Sequence, residues 1–262
     1  MLRFGINSRD PLVLNTPPAA YQVPNNDPTG RTLVSPHVIP AGAEVIVLAG
    51  QSLAANYAQG TFTPDNPGHI FNLNMVTGAI YEAEDPLLGT DGPYTCVGIR
   101  VADARITAGD ASDVILVPIA AGGSDVAQWA NGGVFQQRIE IAARRLASIG
   151  RSADMILWQQ GTTDNSLNTS SENYQLWAGQ MIRCFRDNGF SCPIFIAKES
   201  WVSADLDVNV RAGQAALVSP AQGIYAGPDT DTITDRWDAA HLDADGVAQH
   251  AILWTAAINP IL

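Results

Sequence analysis

Short runs of apolar, mostly β-branched residues recur along the chain, separated by longer stretches in which apolar positions follow a helical period. The runs are Glu44–Ala49, Val114–Ile119, Met155–Trp158, Pro193–Ala197 and a short fifth, Gly223–Ala226. Continuous apolar segments of this length predict strands buried on both faces. Helices are predicted near 94–107, 134–149, 172–188, 205–217 and 245–258. In the second of these, Phe135, Ile139, Ala142, Leu146 and Ile149 recur by alternating fours and threes, and Gly150 stands at the C-terminal cap position. In the third, Tyr174, Trp177, Met181 and Phe185 share one face, with Ser171 as candidate N-cap and Gly189 beyond the end. Such alternation predicts a mostly parallel, five-stranded sheet covered by helices on both faces, with working residues at the carboxyl ends of its strands.

Two stretches break the pattern. Residues 1–42 carry Pro11, Pro17, Pro18, Pro24, Pro28, Pro36 and Pro40 without periodicity, which predicts an extended arm ahead of a domain spanning 43–262. Such an arm either straps its own domain or contacts another subunit, giving a homo-oligomer or an anchored assembly. Residues 57–92 are rich in Gly, Asn, Asp and Pro and show no regular patterning, and a loop that long inside a compact domain is usually functional.

Composition narrows the function classes. A chain of 262 residues with 46% hydrophobic content supports one sizeable core. Its net charge of −12 excludes a nucleic-acid partner, since phosphate binding requires clustered Lys and Arg. No apolar run approaches the roughly 18–20 residues that span a bilayer. The stretch before Asp10 and Pro11 has no apolar core, so no signal peptide is visible, and a soluble protein is expected, cytoplasmic or part of a phage or cell-surface assembly. Cys96, Cys184 and Cys192 form no disulfide framework and read as buried thiols, a Cys184–Cys192 pair being the alternative. No cysteine has metal-site spacing and His37, His69 and His250 lie far apart, so neither metal nor cofactor is expected.

Four segments carry candidate chemistry. Ala49-Gly50-Gln51-Ser52 closes the first strand and would lift a serine hydroxyl above the sheet. Ala120-Ala121-Gly122-Gly123-Ser124 follows the second strand, where paired glycines let backbone N–H groups approach a ligand oxygen. Gln159 and Gln160 end the third strand and place amide donors at the crevice. Asp238-Ala239-Ala240-His241 precedes the last helix, close enough for the carboxylate to orient the imidazole. Each segment alone is ordinary, but together they supply what acyl transfer needs. That set is a serine, a base to take its proton, and an oxyanion hole for which Ser52 N–H, Gly123 N–H and the Gln160 side chain are the candidates.

These motifs, in this order, resemble the sialate O-acetylesterase-like branch of the SGNH hydrolases, which includes carbohydrate acetylesterases. Gly50-Gln51-Ser52 resembles its nucleophile block, and Gly122-Gly123-Ser124 with Trp129 its glycine block. Gln160-Gly161 with Asp164 is similar to its Gln-Gly-Glu-Ser-Asp block, and Asp238 to His241 matches its Asp-x-x-His block. Tyr81 to Leu87 also looks like this branch. The resemblance covers about 44–258. It implies a flavodoxin-like three-layer α/β/α sandwich and metal-free removal of short acyl groups, acetyl above all, from a small ester or O-acetylated glycan. Ser52 is then the nucleophile, His241 the base and Asp238 its partner, with Gln51, Gly122 and Asn56 as candidate substrate contacts. Two positions depart from the branch: Leu53 stands where Asn is common, and Thr162 replaces the Glu after Gln-Gly. Two other readings compete: an esterase of the same fold acting on lipid, aryl or polysaccharide esters, and a glycan-binding structural or virion component that keeps the fold. The intact Ser52, Asp238 and His241 set favours an active enzyme.

Overall fold

The computed structural model describes residues 23–262. The sheet has eight strands in the order β1-β4-β3-β5-β2-β6-β7-β8. The five apolar runs become β2 (Glu44–Gly50), β5 (Val114–Pro118), β6 (Met155–Gln159), β7 (Ile194–Lys198) and β8 (Ile224–Asp229), all mutually parallel. The expected count of five is corrected by β1 (Leu33–Val34), β3 (Ile70–Leu73) and β4 (Ile80–Glu82). These are two to four residues long, and their pairing is set by neighbours rather than by a pattern of their own. β4 runs antiparallel to both β1 and β3.

Helices α1 (Val97–Ala108) and α6 (Ala244–Ile258) form one outer layer, and α2 (Gln136–Ser148), α4 (Ser171–Asp187) and α5 (Val208–Leu217) the other. Strand periodicity divides the core between them. Val45, Val47 and Ala49 pack with Ile139 and Phe185 on one face of the sheet. Ile46 and Leu48 pack with Val101 and Trp254 on the other. A continuous apolar run therefore serves two cores because successive side chains point to opposite faces. Short α3 (Thr162–Ser166), which the sequence pattern does not predict, begins after the two residues that follow β6. The N-cap of α4 is Ser170, whose hydroxyl accepts the Asn173 N–H at 3.2 Å, rather than the expected Ser171.

Residues 1–22 of the expected arm lie outside the described residues. The remainder lies along its own domain: Asn25 exchanges backbone hydrogen bonds with Gly89 and Thr90, β1 pairs with β4, and Arg151 donates to the carbonyls of Ile39 and Pro40. All three cysteines are buried and free, so Cys184 and Cys192 do not pair. Among the described residues no helix is long and apolar enough to cross a membrane.

The neighbours of β2 set the site. β5 lies on one side of it and β6 on the other, so successive crossovers leave β2 in opposite directions. Parallel sheets open a crevice at the carboxyl ends of strands where connections diverge in this way. Ser52 follows the last residue of β2 by two positions.

Candidate active site

Gly50 brings β2 to its end at a close approach no side chain would permit. Its φ is +121°, and a Cβ there would lie 2.0 Å from the Gln159 carbonyl oxygen. The Gln51 N–H then donates to that carbonyl at 2.8 Å, and Ser52–Ala54 make a single 3₁₀ turn closed by Ala55 N–H on the Ser52 carbonyl. Ser52 is 4% exposed. Its hydroxyl has no hydrogen-bond partner among the described residues.

The Asp238–His241 turn is self-contained. Asp238 Oδ1 accepts the backbone N–H groups of Ala240 and His241 at 2.8 and 2.6 Å, and Oδ2 accepts Nδ1–H of His241 at 2.7 Å. A proton held on Nδ1 leaves Nε2 with its lone pair, the tautomer a general base requires. Burial alone would raise the Asp238 pKa, but the bonds from the imidazole and the two backbone amides outweigh it and hold the carboxyl below its ordinary value. The carboxylate therefore stays ionised beside the imidazole.

Tyr57 and Trp237, which sequence reasoning did not single out, stack on that imidazole with ring centroids 5.2 and 5.7 Å away. Tyr57 also joins the histidine turn to the glycine turn. Its hydroxyl donates to Asp91 Oδ2 at 2.8 Å, and both Asp91 oxygens accept the Gly122 N–H at 3.0 Å. A Cβ on Gly122 would sit 2.6 Å from the Tyr57 hydroxyl oxygen, so glycine is needed for the ring to lie there. The glycine turn is tied to β2 by the Ala121 N–H, which donates to the Gly50 carbonyl at 2.9 Å. Asp91 and Tyr57 come from the patternless 57–92 loop, whose length was their only signal in the sequence.

These ties link the turns that carry Ser52, Gly123, Asp238 and His241 to one another. The N–H groups of Ser52 and Gly123 have no acceptor among the described residues, and Gly123 is exposed. A direct Ser52–His241 hydrogen bond is not formed. In free enzymes such bonds are often long and shorten when substrate binds.

Four expected assignments are corrected by what the side chains touch. Gln160 is fully buried, and its Nε2 faces Gln51 Oε1 at 3.2 Å, the Ser124 carbonyl at 3.1 Å and Asp164 Oδ2. With two hydrogens and three protein acceptors, that amide braces the site instead of facing an oxyanion. Gln51 Oε1 accepts the N–H groups of Gly161 and Thr163, which pins the start of α3. Asn56 clips Leu87 through both its amide atoms, at 3.0 and 2.9 Å. The Gly122 N–H belongs to Asp91. Neither the Gly122 N–H nor the Asn56 amide is free for a substrate, whereas only the Oε1 of Gln51 is engaged among the described residues. Gln159 likewise points into the core, donating to Glu199 and Thr230 and accepting from His250 at 3.0 Å.

Thr162, the departure from the resembled motif, donates to Glu199 Oε1 at 2.7 Å, so β7 delivers a carboxylate to this spot. Burial pushes Glu199 up to about 7, against the lowering effect of bonds from Thr162 and Gln159. The folded protein thus keeps this proton to higher pH than the unfolded chain. The associated stability is complete below about pH 4.5 and is lost as pH rises through about 7. Burial pushes His250 down to about 3, and its effect runs the opposite way below pH 6.5, so the measurement must be a difference. Relative to wild type, Glu199→Gln should gain on the order of 3 kcal/mol between pH 4.5 and 8. Thermal melts would show this as a difference in Tm that moves upward by roughly 6–12 °C. A difference independent of pH would mean that Glu199 is ionised throughout.

The sequence profile of the carbohydrate esterase, sialic acid-specific acetylesterase family matches residues 42–257. The chain belongs to that family. It is accordingly a carboxylic ester hydrolase of the carbohydrate acetylesterase class. Solved structures agree in fold. An Arabidopsis thaliana protein superposes with a TM-score of 0.71 at 20% identity, covering 84% of this chain and 99% of that one. NanS gives 0.61 at 14% identity, covering 85% and 98%. A carbohydrate acetylesterase from Xanthomonas citri gives 0.54 at 15%, covering 83% of this esterase and 56% of that chain. Identities this low speak for the fold alone. The search of curated proteins found no match.

Proposed function

We propose that this esterase removes acetyl groups from O-acetylated carbohydrate through an acyl-enzyme on Ser52. The observation that carries the reading is the His241–Asp238 pair, with Nδ1 bound to the carboxylate at 2.7 Å and Nε2 left as a base. Nε2 would take the Ser52 proton as Oγ attacks the acyl carbon. The tetrahedral oxyanion would be met by the N–H groups of Ser52 and Gly123, which have no other acceptor. His241 would return the proton to the departing sugar hydroxyl. A water, deprotonated by the same nitrogen, would then release the acid and restore the serine. Asp238 supports the imidazolium formed in both halves, and the faces of Tyr57 and Trp237 favour the same cation.

A short acyl group suits a serine that is only 4% exposed. Exposure to a fluorophosphonate followed by peptide mass spectrometry is expected to place the label on Ser52. Across nitrophenyl esters, kcat/KM should fall at least tenfold from acetate to hexanoate. Labelling at another serine would overturn the nucleophile assignment, and a rising chain-length series would overturn the acetyl assignment.

A further inference from the structure

A groove of about 570 Å³ is lined in part by Thr32, Phe62, Glu82, Glu84 and Tyr94. Its volume lies in the range of roughly 300–1,000 Å³ typical of small-molecule sites, more than an acetyl group needs. Its near end is set by Tyr94, 42% exposed, which meets Trp237 edge-on at 5.9 Å; Trp237 in turn stacks on His241. Its far end is set by Glu82, the last residue of antiparallel β4. Glu82 pairs with Phe71, itself in register with Ile115 near the start of β5. Its lining residues therefore extend from the Trp237 contact toward the amino ends of the parallel strands.

We propose that this groove seats the sugar portion of the ester, and that the sugar it takes is uncharged. The inference rests on the esterase reading above and narrows its substrate. Phe62 and Tyr94 offer the flat apolar surfaces on which the C–H faces of pyranose rings stack, while carboxylates accept hydrogen bonds from sugar hydroxyls. The charge on the wall decides between sugars. Glu82 and Glu84 are exposed on it. Nearby cations are turned to other work. Arg31 is 10% exposed, donates to the carbonyls of Glu84 and Pro86 at 2.5 and 2.6 Å, and pairs with Glu84 at 3.4 Å, which partly meets that charge and leaves Glu82 as the exposed carboxylate with no ion pair among the described residues. Arg100 lies against the Phe62 ring at 4.3 Å, not on the groove wall. A sialic acid would bring its own carboxylate to this wall, in a protein of net charge −12, and like charges side by side select against a ligand. A neutral glycan meets no such repulsion.

The test compares acetylated xylo-oligosaccharide, a neutral probe, with 9-O-acetyl-N-acetylneuraminic acid, using 4-nitrophenyl acetate as the common standard. At low ionic strength, kcat/KM for the neutral ester should exceed that for the sialate at least tenfold. Roughly 0.5 M salt should narrow the gap, because it screens exposed charges. Glu82→Gln with Glu84→Gln should narrow it at least threefold, and Tyr94→Ala should raise KM for the oligosaccharide at least fivefold with kcat within twofold. Equal or faster turnover of the sialate would overturn the uncharged-sugar assignment, and an unchanged KM in Tyr94→Ala would overturn the groove. If nitrophenyl acetate is not turned over and Ser52 is not labelled, the esterase mechanism has failed and the groove is judged by binding alone. Calorimetric titration of deacetylated xylo-oligosaccharide into the Ser52→Ala protein should then show binding that Tyr94→Ala weakens at least fivefold; no binding would overturn it.

Discussion

Ser52→Ala should abolish ester hydrolysis, lowering kcat by about 10⁵-fold or more, while the protein melts within about 2 °C of wild type. Both halves follow from the same local structure. In the proposed mechanism the hydroxyl forms the covalent bond, so its loss removes the reaction path rather than weakening one interaction along it. Yet the hydroxyl holds nothing together, since it has no hydrogen-bond partner among the described residues. The turn depends on the Ser52 carbonyl, which accepts Ala55 N–H, and on Gln51 N–H at the Gln159 carbonyl, and alanine keeps both. Initial rates on nitrophenyl acetate, with a calorimetric melt of the same sample, decide the matter. Residual turnover above about 1% of wild type would remove Ser52 from the nucleophile role.

Asp238→Asn should lower kcat by roughly 10³- to 10⁴-fold with little change in KM. The substitution preserves shape but reverses one hydrogen bond. The introduced amide would keep its carbonyl oxygen toward the Ala240 and His241 N–H groups, where Oδ1 of Asp238 accepts two bonds in the wild type. That choice turns its NH₂ toward Nδ1, which must then act as acceptor, and the ring proton moves to Nε2. The nitrogen meant to take the serine proton would already carry one. The support of a negative charge for the imidazolium is lost as well. Steady-state kinetics test the rate, and nitrogen NMR of the labelled imidazole tests the tautomer. A loss of less than tenfold would show that Asp238 neither orients nor stabilises the base.

Much of the fold was legible because it depended on local periodicity. Each of the five apolar runs is a strand, and the five expected helices fall within three residues of their bounds at every end. Strands β1, β3 and β4 were missed because two to four residues carry no readable alternation; their stability comes from the pairing of Leu33 with Tyr81 and of Phe71 with Glu82. The site was legible in a different degree. Ser52, Gly123, Asp238 and His241 stand at strand ends and turns whose position the pattern implies. Gln160 and Asn56 were misread because an amide looks the same in sequence whether it faces a ligand or a carbonyl.

On its own, then, the sequence determined the strand and helix periods, the family to which the chain belongs and the order of its serine turn, glycine turn and Asp–His turn, since each is written in residues close together along the chain. Tertiary structure alone decided which polar groups are already engaged. Gln160 meets Gln51 across 109 positions, Tyr57 meets Asp91 across 34, and Trp237 meets Tyr57 across 180. A buried donor must be satisfied by whatever acceptor the fold brings beside it, and that neighbour is fixed by packing, not by spacing. The same packing placed Tyr94 at the mouth of the acidic groove, where the choice of sugar is proposed to be made.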